Sequence, residues 1–137
     1  MTGQHRLCLC GRLTDLFVYL CGDFKVTVNR YLENPEHPMP HMDELYHKLN
    51  GGEKFSKLDL SNAYKQIELD EESRKYLTIN TPLGLFHYTR LAFGISCAPQ
   101  IFQSMMDKVL QGVACACNMD DISLTGKDDP DHLYNII

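Results

Sequence analysis

The stretch ACNMDDISLTG, residues 116–126, places two adjacent aspartates, Asp120 and Asp121, between two apolar runs. No Lys or Arg lies within five residues of the pair on either side. Adjacent residues of a strand point to opposite faces of a sheet, so the two carboxylates can converge only at a tight turn. The pattern therefore predicts two short strands joined by a hairpin, with Met119-Asp120-Asp121 at its tip.

Two carboxylates at such a tip repel each other. At a separation of about 4 Å and an effective dielectric of about 20, the repulsion is about 4 kcal/mol. Because no basic residue is close in sequence, divalent cations are the natural compensation, and the hard oxygen ligands suit Mg²⁺. Asp-Asp pairs also occur in hairpin turns for purely conformational reasons, so the pair alone is compatible with either interpretation.

A third aspartate, Asp59, strengthens the metal hypothesis. It lies between Leu58 and Leu60 in FSKLDLSNAY, residues 55–64, whose alternation predicts a strand. A carboxylate among apolar strand residues is costly unless it is paired or metal-bound. Asp59 precedes Asp120 by 61 residues, so only sheet packing can join them. We expect their carboxylates within about 4–6 Å, close enough to share two metal ions about 4 Å apart.

The rest of the chain alternates helical and strand patterns. Residues 21–29 predict a strand, and residues 33–41 predict an extended loop because they contain three prolines. Three helices are predicted by apolar period and by flanking Gly or Pro, and one hairpin by two β-rich runs around a Pro-containing turn. The helices are predicted within residues 42–52, within residues 96–112 with Ser96 or Cys97 as cap, and within residues 127–137, and the hairpin surrounds residues 81–84. The order predicts an α+β domain with helices packed on an antiparallel sheet.

Composition limits the possible functions. The 137 residues are 44% hydrophobic and 23% charged, as in an ordinary globular domain, and the net charge of −5 gives no overall footprint for nucleic acid. The six cysteines form no C-x-x-C pair, so we expect no zinc site and interpret them as small buried residues of a reducing, intracellular compartment. No run approaches the length of a membrane span, and the N-terminus is a poor signal peptide.

Three motifs occur in a recognisable order: LDLSNAY at residues 58–64, LAFGISCAPQIFQ at 91–103 and NMDD at 118–121. Together they closely resemble the reverse transcriptase, an RNA-directed DNA polymerase, of gypsy-type LTR retrotransposon polyproteins. The resemblance runs from about Cys21 to the C-terminus. It implies a polymerase palm-type antiparallel sheet with helices on one face and partial fingers. Residues 1–20 are then a divergent segment and residues 21–137 a partial fingers and palm domain, without thumb, connection or ribonuclease H domains.

The resemblance also implies the catalytic and metal-binding roles. Asp59, Asp120 and Asp121 would be the catalytic residues and would hold two Mg²⁺ ions, with Mn²⁺ as a possible replacement. The carbonyl of Leu60 would contact one of these ions.

Five further residues would form the nucleotide site by the same resemblance. The backbone amides of Asn62 and Ala63 would face the triphosphate. Tyr64 would lie under the sugar and reject a 2′-hydroxyl, although without the motif it is better interpreted as a core aromatic. Phe93 and Gly94 would line the incoming nucleotide and the template base.

The implied partners are a primer–template nucleic acid and deoxynucleoside triphosphates, with no membrane partner. Two positions depart from the family pattern. Tyr19 stands where the family usually has an arginine that grips the triphosphate, and Asn118 stands where it usually has a tyrosine near the primer end. An alternative is therefore a catalytically inactive, retrotransposon-derived relic that retains the palm fold. A full-length parent could also carry ribonuclease H activity.

Overall fold

The computed structural model describes residues 7–10, 19–33 and 35–136. Within them the chain forms seven strands and four α-helices. The strands are β1 Leu7–Cys10, β2 Tyr19–Gly22, β3 Lys54–Asp59, β4 Thr78–Thr81, β5 Gly84–His87, β6 Cys115–Asn118 and β7 Asp121–Gly126. The helices are α1 Met42–Leu49, α2 Glu71–Tyr76, α3 Ala98–Val109 and α4 Asp129–Ile136. No helix among these residues is both long and apolar enough to cross a membrane.

The chain divides into two compact units. The first unit comprises residues 1–34 and 64–98, and the second comprises residues 35–63 and 99–137. The second unit contains all three aspartates of the predicted metal site.

The second unit is built on an antiparallel sheet with strand order β3-β7-β6. Because paired residues of antiparallel strands point to the same face, Leu58, Ile122 and Cys117 share one face. Asp59 and Asp121 lie on the opposite face by the same register. The sheet therefore separates an apolar face from a face that carries carboxylates.

The helices of this unit pack on the apolar face, as predicted. The Ser56 side chain shares this face and its Oγ lies 2.8 Å from Nε2 of His132 in α4. Helix α1 contacts β6 and buries Leu45, while α3 buries Phe102 and Met106. Burying these apolar side chains stabilises the sheet that holds the aspartates, at about 1.5–3 kcal/mol for each large side chain.

The first unit contains two antiparallel strand pairs, β1–β2 and β4–β5. Its apolar core comprises Phe24, Leu77, Ile79, Leu91, Ala92, Ile95, Cys97 and Ala98. The β4–β5 hairpin turns at Pro82 and Leu83, as the sequence predicts.

Most predicted elements are confirmed: α1, β3, the β4–β5 hairpin, α3, the β6–β7 hairpin and α4. The strand predicted over residues 21–29 is wrong beyond Gly22. The N–H groups of Thr27 and Asn29 both donate to the carbonyl of Phe24, at 3.2 and 3.1 Å, and a 3₁₀ turn follows at Val28–Arg30. Local hydrogen bonds around the buried Phe24 therefore override the alternating pattern.

Two elements were not predicted. Strand β1 lies in a segment without a clear period, and α2 has only six residues. The predicted boundary after residue 20 falls in a segment of which the structure describes only residues 7–10 and 19–20. The side chain of Tyr19 lies outside the described part, although its backbone belongs to β2.

Candidate active site

The backbone positions of the three aspartates lie at one end of the second unit's sheet. Asp59 is the last residue of β3 and Asp121 is the first residue of β7, and the two are direct partners across these strands. Asp120 occupies the turn between β6 and β7, where its carbonyl accepts a hydrogen bond of 2.9 Å from the N–H of Leu60. The register therefore juxtaposes residues that are about sixty positions apart in sequence.

The turn that carries Asp120 is a two-residue hairpin, because Asn118 pairs directly with Asp121. Its first residue, Met119, has φ of +57°. A left-handed conformation costs a non-glycine residue about 1–2 kcal/mol, so other contacts must hold the turn. The N–H of Met119 donates to Oε1 of the buried Gln103 at 2.8 Å. The predicted hairpin is thus present, and a side chain of α3 bonds to its turn.

Sequence reasoning missed a basic partner for the aspartates. Nζ of Lys57 lies 3.0 Å from Oδ1 of Asp121, across β3 and β7. The side chains of Lys57 and Asp121 are 64% and 48% exposed, so the pair contributes at most about 1 kcal/mol. Lys57 lies 64 positions away in sequence but adjacent in the sheet, so it supplies a compensating charge beside the one that divalent cations were expected to supply. The sequence did contain one signal for this partner: Lys57 and Asp59 lie two residues apart on β3, and such residues share one face of a sheet.

Two carboxylates on one face provide the oxygen donors that Mg²⁺ prefers, and Mg²⁺ commonly takes one or two protein carboxylates and completes its shell with water and phosphate. The donor chemistry therefore fits the ion. Across the described residues, however, no group of three or more His, Cys, Asp or Glu side chains is placed to hold a metal together. The described side chains are thus not arranged as a site in which three carboxylates hold two ions. The distance between the Asp59 and Asp120 carboxylates stays a prediction.

The residues after β3 adopt a tight turn. Asn62 has φ of +55°, and the buried Ala63 begins a 3₁₀ turn that continues to Gln66. The backbone after Leu60 therefore leaves the extended conformation of β3 and turns sharply. The roles of the Asn62 and Ala63 amides stay predictions.

Tyr64 and Phe93 contact each other in the first unit. Their ring centroids are 5.2 Å apart and the ring planes are inclined by 58°. Tyr64 is half-buried, and Phe93 is 44% exposed. Tyr64 is therefore neither fully a core aromatic nor fully exposed.

Gly94 follows Phe93 with φ of +91°, and a Cβ atom at this position would lie 3.3 Å from the carbonyl oxygen of Gly22. Asn29 fixes the segment: its Nδ2 donates to the Gly94 carbonyl at 2.7 Å, and its Oδ1 accepts from the Ser96 N–H at 3.0 Å. Sequence reasoning missed Asn29, because it was assigned to a strand. The only available signal in the sequence was that Asn29, a polar residue, ends the alternating run of residues 21–29.

Cys21, Cys97, Cys115 and Cys117 are thiols that form no disulfide. The last three are buried, which confirms their interpretation as small buried residues. Burial, with a smaller contribution from the Asp107 charge, raises the pKa of Cys117 to about 11. Burial also raises the pKa of Cys97 and Cys115. These thiols stay protonated at neutral pH and are poor metal ligands and nucleophiles.

Comparison with known proteins agrees with the motifs. The family described as reverse transcriptase (RNA-dependent DNA polymerase) matches residues 19–137. An uncharacterised protein of Caenorhabditis elegans is 38% identical over 117 residues, which are 84% of this chain and 9% of that protein. The retrovirus-related Pol polyprotein from transposon 412 of Drosophila melanogaster is 35% identical over 112 residues, or 80% of this chain and 9% of the polyprotein. The chain thus spans about a tenth of the length of these relatives.

Solved structures share the fold. The foamy viral protease-reverse transcriptase in complex with double-stranded DNA has a TM-score of 0.84 at 18% identity, covering 97% of this chain and 23% of that one. The same viral protein in complex with an RNA/DNA hybrid has a TM-score of 0.81 at 17% identity, covering 97% and 18%. The expected palm-type α+β fold is therefore confirmed. With a family match over most of its length and motifs in the matching order, the chain belongs to the reverse transcriptase (RNA-dependent DNA polymerase) family.

Proposed function

We infer that this chain carries the nucleotidyl-transfer centre of a reverse transcriptase. The reaction would add a deoxynucleotide from its triphosphate to a primer 3′-hydroxyl. The observation that carries the proposal is the direct pairing of Asp59 with Asp121, with Asp120 in the adjoining turn. When bound, two divalent cations would supply activation of the attacking hydroxyl and stabilisation of the leaving pyrophosphate.

The protein's own contribution would be to hold these cations and orient the substrate. Asp59, Asp120 and Asp121 would provide the carboxylate ligands, for Mg²⁺ or Mn²⁺. A cation bound to Asp121 would be repelled by the Lys57 ammonium, which lies 3.0 Å from Oδ1 of the same carboxylate, so cation binding would weaken this ion pair.

Charge supports a role for cations in this unit. The second unit contains five Lys and Arg residues against eleven Asp and Glu residues, a net charge of −6. The first unit contains eight against seven, a net charge of +1. A net charge of −6 repels the phosphates of a triphosphate and of a primer–template, so bound cations would reduce this electrostatic repulsion.

The nucleotide-binding roles follow from the motifs. Leu60, Asn62 and Ala63 would contact the metal-bound triphosphate through their backbone, and Gly94 would line the template base. Tyr64 would reject a 2′-hydroxyl, with Phe93 lining the incoming nucleotide beside it. The 5.2 Å contact between these two rings supports a shared role in shaping that site.

The parent would be the polyprotein of a gypsy-type LTR retrotransposon, and residues 21–137 would form its partial fingers and palm domain. The coverage of about a tenth of the relatives' length supports an origin in a much longer product.

Mn²⁺ binding to the whole chain, followed by electron paramagnetic resonance, tests the metal site. We expect Asp120→Asn and Asp59→Asn to weaken Mn²⁺ binding strongly. Asp43→Asn removes the same charge from an exposed position of α1 and should have little effect. Mg²⁺ should also raise the melting temperature of the wild type and not of Asp120→Asn, since a ligand that binds only the folded state stabilises it. Equal Mn²⁺ affinity in all four proteins would exclude the site.

The alternative function is an inactive relic that keeps the fold. The observation that favours it is Asn118, which pairs with Asp121 and so shares the carboxylate face where the family usually has a tyrosine. Primer extension by the full-length polyprotein, compared with Asn118→Tyr, separates the two. Activity only in Asn118→Tyr would favour the relic, and equal activity in both would favour the enzyme.

A further inference from the structure

Gln103 is a polar side chain in the core of the second unit. It lies in α3 and is 0% exposed. Burying an amide without partners costs about 1–3 kcal/mol, so its hydrogen bonds must be satisfied. Both of its polar atoms bond to groups around the aspartate-bearing hairpin, rather than to its own helix alone.

The orientation of the Gln103 amide is fixed by two acceptors. Its Nε2 donates to the Cys117 carbonyl and to Oδ1 of Asp107, both at 3.0 Å. Asp107 is itself held, because its Oδ2 lies 2.8 Å from Nε2 of His37. A carbonyl can only accept, so the NH₂ group must face Cys117 and Oε1 must face the Met119 N–H.

This arrangement fixes the turn that carries Asp120. Gln103 holds β6 through Cys117 and the turn through Met119, on either side of Asn118. The thiol of Cys117 adds a hydrogen bond of 3.3 Å to the Met119 carbonyl. Together these bonds hold Met119 at φ of +57°, a conformation that the chain would otherwise avoid.

We propose that Gln103 is a positioning residue for the metal site, which sets the backbone from which Asp120 and Asp121 project. The inference rests on the proposed function, since it concerns how the aspartates of that site are placed. Groups that orient metal ligands typically affect metal affinity by about 10–100-fold, although they do not touch the metal. Without the amide, the turn relaxes and the backbone that places Asp120 relative to Asp121 is no longer fixed.

The test compares Gln103→Met with Gln100→Met in the whole chain. Both remove an uncharged amide from α3, but no hydrogen bond connects Oε1 of the half-buried Gln100 to the turn. Mn²⁺ affinity is measured by electron paramagnetic resonance, at a temperature where circular dichroism shows each variant to be folded. We expect Gln103→Met to weaken Mn²⁺ binding by about 10–100-fold and Gln100→Met by less than about twofold.

A purely structural role would lower the melting temperature and leave the Mn²⁺ affinity of the folded protein unchanged. If Gln103→Met binds Mn²⁺ as the wild type does, while Asp120→Asn does not, the positioning role is overturned and the metal site stands. If Asp120→Asn also binds as the wild type does, both the metal site and the positioning role are overturned.

A second variant decides the question if Gln103→Met does not fold. Asp107→Leu removes the acceptor that orients the amide, at a side chain that is 36% exposed. It should weaken Mn²⁺ binding more than Asp43→Leu, which removes the same charge from α1. Equal affinities for these two variants would overturn the proposal.

Discussion

Replacing Lys57 by Met should have opposite effects on folding and on metal binding. At 3.0 Å, the attraction between Lys57 and Asp121 is about 1.4 kcal/mol in water and about 5.5 kcal/mol at an effective dielectric of 20. Both side chains are about half exposed or more, so solvent and side-chain entropy reduce the net contribution to about 0.2–1 kcal/mol. Lys57→Met should lower the free energy of unfolding by this small amount.

A cation that binds Asp121 competes with the Lys57 ammonium for the charge of the same carboxylate. Removing Lys57 therefore removes a cost of metal binding, and 0.2–1 kcal/mol corresponds to an affinity gain of about 1.5- to 5-fold. Isothermal titration with Mn²⁺ measures this gain. It should shrink in about 0.5 M KCl, because salt screens exposed charges.

Lys54→Met is the matched control. Lys54 also lies on β3 and forms an exposed ion pair of 3.1 Å, but with Asp129 at the other end of the strand. Its removal changes the net charge equally without freeing Asp121. The reasoning would be refuted if Lys57→Met weakened Mn²⁺ binding, or if the two variants gained affinity equally.

Three further predictions concern other parts of the molecule. Burial raises the pKa of Cys117 to about 11, so the thiol ionises first in the unfolded protein, and the free energy of unfolding should fall as pH rises from about 8.5 towards 11. The free energy of urea unfolding should decline less steeply with pH for Cys117→Ala than for the wild type, and equal slopes for the two proteins would contradict this. Gly94→Ala should lose about 1–2 kcal/mol from its left-handed backbone plus a further loss from contact with Gly22, whereas Gly112→Ala, with φ of +89° and open space, should lose only the first. Residues 1–137 alone should show no processive primer extension with Mg²⁺, because Tyr19 replaces the arginine that the family pattern places there. The loss of one such stabilising group costs about 10²–10³ in rate. Robust extension that disappears in Asp59→Ala would contradict this prediction.

Local patterns were sufficient for most of the elements. Helix α1 follows from apolar residues at helical spacing, and the β6–β7 hairpin from the requirement that Asp120 and Asp121 meet at a turn. Helix α2 could have been predicted from Asp70, an N-cap residue type directly before it. The Asp70 carboxylate accepts a hydrogen bond of 2.8 Å from the Ser73 N–H, and this bond is the main cause of its lowered pKa. These features depend on contacts within a few residues, so the sequence order alone contains them.

The sequence by itself determined the family, the α+β class and the identity of the aspartates, because motif order and periodicity are one-dimensional properties. Only the tertiary structure decided how the site is supported. Lys57 reaches Asp121, and Gln103 reaches Met119, across elements that no local pattern connects. The same is true of Asn29, whose side chain bonds to the carbonyl of Gly94, 65 positions away. Hydrogen bonds and ion pairs act over about 3 Å in space, and only the packing of strands and helices brings such distant positions to that range.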